Sequence, residues 1–281
     1  MSDAILRLTD VRIHDAVNDR DVVHGVSFEL TPGKVVGIVG ESGSGKTLTC
    51  RAVLGILPQH FSVTGGAIEL AGRDTSRLTP REWTGLRGST VGAVFQDPAS
   101  YLNPSMRIGA QIAEVVRVKQ RLTRREARRR AIELLSAVRL REPELVYRQY
   151  PHELSGGMLQ RVLIAAAIAA DPQLLIADEA TTALDVTVQA EILDLLTDLR
   201  ERTGMALIVV SHDLAVVAQL CDEVLVMRAG FVVEQGPTAR VLYDPRHEYT
   251  RLLIAEHEQY GLDRFLEPAE PALSKEFDHV G

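Results

Sequence analysis

Three short stretches hold the residues best equipped for chemistry. Gly40-Glu41-Ser42-Gly43-Ser44-Gly45-Lys46-Thr47 fits the pattern G-x-x-x-x-G-K-[ST]. Its glycines let the backbone turn tightly, so successive N–H groups point into one concavity. A helix beginning there aims its positive N-terminal end at the same point. That suits the phosphates of a nucleotide, with Lys46 reaching the β- and γ-phosphates and the Thr47 hydroxyl offered to Mg²⁺. Asp178 and Glu179 close the apolar run 174–177. One carboxylate at such a strand end can hold Mg²⁺, and its neighbour can orient and deprotonate an attacking water. The third stretch, Leu154-Ser155-Gly156-Gly157-Met158, opens a helical pattern that runs to Ala170. Ser155 can cap that helix, and the glycines permit close approach to an anion. One γ-phosphate does not need two cradles from one chain. The second is therefore expected to serve nucleotide bound to another subunit.

These stretches need a frame to hold them. Val35-Val36-Gly37-Ile38-Val39 precedes the glycine-rich loop, and Leu207-Ile208-Val209-Val210 ends at Ser211-His212-Asp213. With 174–177 these read as buried parallel strands. Val188, Ile192, Leu195, Leu196 and Leu199 fall on one helix face between the last two. Buried strands separated by amphipathic helices predict an α/β parallel sheet with ligands at the carboxyl ends of its strands. The first thirty residues read as further strands. Residues 97–165 read as an inserted helical lobe, with helices over 108–118 and 125–138. The basic run 121–130 (RLTRREARRR) reads as a solvated helix face, with contact to anionic lipid as the alternative. Residues 224–227 and 231–233 flank Ala229-Gly230 as a hairpin. After about residue 255 the chain turns polar, which predicts a peripheral tail.

Composition narrows the function classes. Of 281 residues 46% are hydrophobic and 25% charged, and the net charge of −7 gives no electrostatic case for nucleic acid. The longest apolar run, 162–170, falls far short of the roughly 18 residues a spanning helix needs. Residues 1–4 carry no signal-like flank. A cytoplasmic chain that docks to a separate membrane protein is expected. Cys50 and Cys221 read as buried small hydrophobes. His247, His257 and His279 lack tight ligand spacing and read as solvated.

Over roughly residues 5–240 the chain resembles the ATP-binding cassette family, in which the phosphate loop, the 154–158 signature, Asp178-Glu179 and His212 occur in this order. The resemblance implies an α/β P-loop NTPase cassette over 1–240. That cassette has a RecA-like parallel sheet core, an antiparallel β subdomain and a helical subdomain at about 97–165, with a C-terminal extension over 241–281. It implies ATP and Mg²⁺ as cofactors, and two subunits that sandwich two ATP molecules. By position, Gln96 matches the glutamine that contacts Mg²⁺ and senses the membrane partner. Ala183-Leu184-Asp185 matches the loop that crosses the dimer interface, and His212 the switch histidine near the γ-phosphate. Two positions depart from the pattern. His14 stands where an aromatic residue often stacks on adenine, and Ala180 stands where proline is usual.

Finer resemblance lies in Gln96-Asp97-Pro98, Leu102-Asn103-Pro104 and residues 181–190, which look like the oligopeptide, dipeptide and nickel importer branch. Leu48-Thr49-Cys50, residues 54–58, 150–161 and 255–262 are similar to its nickel-import ATPases. The expectation is an ATPase subunit powering uptake of nickel or a metal chelate, with a peptide importer as the alternative. A soluble ATPase of DNA repair or translation is the rival of another class. The branch implies a paralogous second ATPase, two transmembrane permease subunits and an extracellular binding protein as partners, and a peripheral place on the cytoplasmic face of the inner membrane.

Overall fold

A computed structural model describes residues 4–180 and 185–258, the last two by backbone alone. Ala183 and Leu184 of the expected interface loop, the His257 side chain and the tail with His279 lie outside the described residues.

Two sheets organise the chain. Strands β1 (Leu6–Asp15), β2 (Arg20–Leu30), β4 (Phe61–Leu70) and β5 (Arg73–Asp74) form an antiparallel sheet in the order β2-β1-β4-β5. The second sheet contains β3 (Val35–Val39), β6 (Val91–Val94), β7 (Leu174–Asp178), β8 (Ala206–Val210), β9 (Glu223–Arg228) and β10 (Phe231–Pro237), in the order β10-β9-β3-β8-β7-β6. All its pairings are parallel except the hairpin of β9 and β10. This is the α/β cassette architecture that the sequence implied.

The apolar runs in the parallel strands are continuous because both faces are covered. Val36 and Ile38 of β3, with Leu174 and Ile176 of β7, face a core shared with the antiparallel sheet. Val35 and Val39, with Leu175 and Ala177, face a second core shared with the helices. Helix α1 (Lys46–Leu54) follows the glycine-rich loop, and α2 (Pro80–Leu86) precedes β6. The helical lobe holds α3 (Pro98–Tyr101), α4 (Ile108–Gln120), α5 (Arg124–Ala137) and α6 (Pro143–Arg148). Ile108, Ile112 and Val116, one turn apart on α4, are fully buried beside Ala127, Ala131 and Leu135 of α5. A capping box of Thr123 and Glu126 starts α5. Its outer face carries the arginine run, where Arg124, Arg125, Arg128 and Arg129 are exposed and Arg130 pairs with Asp171 at 3.0 Å.

Helix α7 (Gly156–Ala167) leads back to the sheet, and α8 (Val186–Thr203) and α9 (Leu214–Leu220) follow β7 and β8. The expected end of α7 at Ala170 is corrected to Ala167. Asp171 adopts φ 53° and Pro172 follows it, so the chain turns into β7 instead of continuing the helix. The end of α7 leans on β6 at Gly92, where a Cβ would lie 2.6 Å from the carbonyl oxygen of Ala167.

Helices α10 (Thr238–Tyr243) and α11 (Glu248–Glu258) close the described chain. Tyr249, Leu253 and Ile254 belong to the helical-side core. Buried Glu234 on β10 fastens them by accepting from the Arg246 and His247 backbone N–H groups at 3.0 Å each and from Arg240 Nη1 at 2.9 Å. Burial pushes this carboxyl up, but those donors outweigh it and bring its pKa down to about 2. His247, expected to be solvated, is half-buried, and its Nδ1 accepts from the Tyr249 N–H at 3.1 Å. It serves as a local cap on α11, a role that its spacing from other histidines could not reveal.

Two outcomes follow. Gly92→Ala is expected to push α7 off β6 and cost about 1–3 kcal/mol, read as a lower urea midpoint at unchanged slope. For Glu234 the folded pKa of about 2 lies below the ordinary 4.5. Its stabilisation is therefore complete above that ordinary value and is lost as pH falls through the folded one. Hydrogen exchange of α11 amides should show the gap between the parent and Glu234→Gln narrowing as pH falls across that window.

Candidate functional site

Strand order decides which residues meet. β3, β8, β7 and β6 are neighbours in that order, and all point the same way. Asp178 pairs with Val210, and Val210 with Ile38, so the carboxyl ends stand level. From this edge emerge the glycine-rich loop after β3, Ser211-His212 after β8, Asp178-Glu179 at β7 and Phe95-Gln96 after β6. A cavity of about 640 Å³ opens there, and Ser42, Lys46, Thr47, Gln96, Asp178, Glu179 and His212 line it. Residues distant in sequence but predicted to act together are thus brought to one cleft. Arg51, Phe95, Asp97, Ser100 and Tyr101 also line it, and sequence reasoning assigned them no part. Phe95 and Tyr101 stack at 4.8 Å between ring centroids, which stiffens the segment that carries Gln96. Their signal was proximity to Gln96 alone.

The loop backbone is tightly held. Gly40 has φ +145°, and a Cβ there would overlap the carbonyl oxygen of Met227, so the loop runs directly against β9. Gly230 N–H donates to Ser44 O at 3.1 Å. The Lys46 ammonium folds along the loop, donating to Gly40 O at 2.7 Å and Glu41 O at 2.8 Å. Its third proton has only a longer 3.5 Å contact with Ser44 Oγ, which leaves it available to a phosphate oxygen. Burial pushes the Lys46 ammonium down, against the pull of the Glu179 and Asp178 carboxylates.

Thr47 Oγ1 donates to Asp178 Oδ1 at 3.2 Å. Burial pushes the Asp178 carboxyl up, with Thr47 pulling the other way and Glu179 adding to the rise. The Thr hydroxyl, the Asp carboxylate and the Gln96 amide on the same cleft form a set of hard oxygen donors, which fits Mg²⁺. Glu179 follows at φ 51°, with its N–H donating to Val210 O at 3.0 Å. A non-glycine residue held in the left-handed region is strained, and such strain concentrates at functional sites. Ala180 is buried directly after it.

The signature lies elsewhere. No residue of 154–158 lines the cleft. Ser155 caps α7 as expected, accepting from the Met158 N–H at 3.3 Å, and both Ser155 and Gly156 are exposed. Gly157 packs against Val188 of α8, where a Cβ would come within 2.7 Å of Val188 Cγ1. Exposed Asp185 caps α8 by accepting from the Val188 N–H at 3.0 Å. His14 is outside the cleft lining too. Its Nδ1 lies 3.0 Å from Asp21 Oδ1 and its Nε2 3.5 Å from Asp19 Oδ1, across the β1–β2 hairpin. Cys50 and Cys221 are buried, as the sequence reading expected, and burial pushes both thiols up. Among the described residues no group of three His, Cys, Asp or Glu could hold a metal ion, and no helix is long and apolar enough to cross a membrane.

Known proteins share this arrangement. A family model described as ABC transporter matches residues 23–182, more than half of the 281. The chain is 45% identical over 263 residues to the probable D,D-dipeptide transport ATP-binding protein DdpD of Escherichia coli, covering 93% of this chain and 80% of that one. It is 47% identical over 236 residues to the oligopeptide transport ATP-binding protein OppD of Bacillus subtilis, covering 83% of this chain and 65% of the relative. Among solved structures it is similar to an ATP-binding cassette captured as a dimer in a post-hydrolysis state bound to ADP and Pi. The TM-score there is 0.74 at 28% identity, over 83% of this chain and 98% of the other. With the match extending from cleft and motif order to most of its length, the chain belongs to the ABC transporter family, as an ATP-binding subunit whose ATPase activity is coupled to transport.

Proposed function

We propose that this chain is the ATP-hydrolysing subunit of an importer of short peptides. The observation that carries the cargo reading is the 45–47% identity to D,D-dipeptide and oligopeptide transport ATP-binding proteins. The sequence alone favoured nickel or a metal chelate, and these relatives support the peptide alternative better. The segments that suggested nickel, such as Leu48-Thr49-Cys50 and 150–161, lie on or beside α1 and α7, within the ATP machinery. Likeness there is a poor guide to a cargo that meets other subunits.

In this reading the 40–47 loop cradles the phosphates of ATP. The cleft geometry supports it, because Ser42, Lys46 and Thr47 of the loop line it beside Asp178 and Glu179. Thr47, Asp178 and Gln96 would hold Mg²⁺, which neutralises phosphate charge when bound. Glu179, on the same cleft as Asp178, orients and deprotonates the attacking water, and His212 steadies the γ-phosphate from the end of β8. The signature 154–158, exposed at Ser155 and Gly156, serves the nucleotide of a second, paralogous ATPase, with Asp185 near the shared interface. His14 borders the adenine. The cassette spans 1–240 with its helical subdomain at about 97–165, and 241–281 extends it. Two permeases and an extracellular peptide-binding protein complete the system, and this chain sits peripherally on the cytoplasmic face of the inner membrane.

Glu179→Gln is expected to lower ATP turnover by roughly 10²–10⁴-fold. It should keep ATP affinity and accumulate an ATP-dependent dimer on light scattering. Turnover at the parental rate would remove Glu179 from the role of base. For the cargo, a strain lacking this chain should lose uptake of labelled di- and oligopeptides and keep uptake of radiolabelled nickel. The reverse pattern would restore the nickel reading.

A further inference from the structure

The C-terminal segment reaches the phosphate loop. Tyr249, the second residue of α11, is 3% exposed, and its hydroxyl accepts from the backbone N–H of Glu41 at 3.0 Å. Glu41 is the second residue of the loop, and its carbonyl is one of the two that receive the Lys46 ammonium. One residue is therefore held from both sides, by the catalytic-site lysine on its C=O and by the C-terminal helix on its N–H. The Tyr249 ring is fixed in turn. The Arg228 guanidinium lies 4.7 Å from its centroid, and the Tyr249 N–H is tied to His247 Nδ1. His247 and Arg246 hang by their N–H groups from Glu234, more than 180 residues from the loop in sequence. Arg251 closes the turn by donating to Pro245 O at 3.1 Å and Arg246 O at 2.8 Å. The result is a continuous strap: β10, Glu234, the 245–248 turn, Tyr249, Glu41.

We infer that Tyr249 is a positioning residue for ATP binding, and that the segment 244–254 acts as a strap which holds the phosphate loop in its receptive shape. The reasoning is one of preorganisation. The Glu41 N–H lies where the loop leaves β3, before the amides that face the cleft. An anchor there does not compete with phosphate, yet it fixes the direction in which every later N–H points. Lys46 loosens its hold on Glu41 O whenever it shifts towards a ligand, whereas Tyr249 stays. Without the phenol oxygen, the loop samples conformers in which its amides diverge, and ATP must gather them on binding.

The inference rests on reading 40–47 as the phosphate loop, so its test includes a separate check of that reading. The full chain is assayed with a fluorescent ATP analogue for Kd and by steady-state ATPase for kcat and KM. Lys46→Ala should abolish high-affinity binding; unchanged binding there would sink the site reading itself. Tyr249→Phe keeps the ring on Arg228 and removes the hydroxyl, and with it both the bond accepted from the Glu41 N–H and the side-chain hydrogen bond to the Glu41 carboxylate. It is expected to weaken ATP binding roughly three- to tenfold, with kcat within about twofold of parent and a melting curve close to it. Glu234→Gln loosens the strap from its other end and should shift Kd in the same direction. The double variant should show less than the product of the two effects, because both act through one chain of contacts. Parental Kd in Tyr249→Phe, a fall in kcat with KM unchanged, or independent effects of the two variants would each overturn the strap. Should Tyr249→Phe fail to fold, Glu234→Gln decides alone: parental Kd overturns the inference, and a weakened Kd with parental kcat supports it.

Discussion

Everything at the cleft depends on the level pairing of parallel strands at one sheet edge. Asp178 sits beside Val210, and Val210 beside Ile38. A slip of one residue in any of these pairs would turn Asp178 into a core position and send Ala177 to the cleft, because side chains alternate faces along a strand. The cores on both sides make such a slip costly. Val36 and Ile38 pack against the antiparallel sheet, while Val35 and Val39 pack against the helices. The hydrogen bond from Thr47 to Asp178 is a consequence of that register, and it joins the start of α1 to the end of β7.

The cleft itself runs against the preferences that hold the sheet. It contains a buried lysine, a buried aspartate and a glutamate in the left-handed region. Each is unfavourable alone, and together they compensate: burial shifts Lys46 down and Asp178 up, while their opposite charges pull both back. A site arranged this way gains from an incoming polyanion and cation that favour the charged forms of both groups. The stability needed to keep it comes from elsewhere, from Met227 behind Gly40, from the Gly230 N–H on Ser44 and from Tyr249 on Glu41.

Much of this was legible in the sequence, for a reason specific to the phosphate loop. On the proposed reading its chemistry is done by consecutive backbone amides, so the whole device is written in eight adjacent residues, 40–47. Asp178 and Glu179 were legible because a carboxylate pair ends an apolar run, and the strands because both faces are buried. Tyr249 was not legible. A tyrosine within an ordinary helical pattern carries no mark of its partner, and that partner is a backbone N–H more than 200 residues away in sequence. His247 and the Phe95–Tyr101 stack were hidden in the same way, since their roles are set by tertiary neighbours. The nickel reading rested on a different ground. Segments such as 48–50 and 150–161 lie on or beside α1 and α7, and on the proposed reading those elements handle ATP in the same way whatever is carried.

The geometry of the signature completes the argument about how such a chain works. Ser155 and Gly156 are exposed at the start of a twelve-residue helix, outside the cleft on the same chain. Exposed helix-start amides are well hydrated, so leaving them bare costs little, and they contribute only when an anion is brought to them. Gly157 against Val188 ties this end of α7 to the start of α8, where Asp185 caps the helix. On the proposed reading, nucleotide held by one chain would draw together the exposed helix ends of another. The contact would be felt at both α7 and α8, and through α7 at β6 and Gln96. On that reading a single chain presents a phosphate loop and half of a second site, which is the arrangement expected of a motor that does work only by closing on a partner.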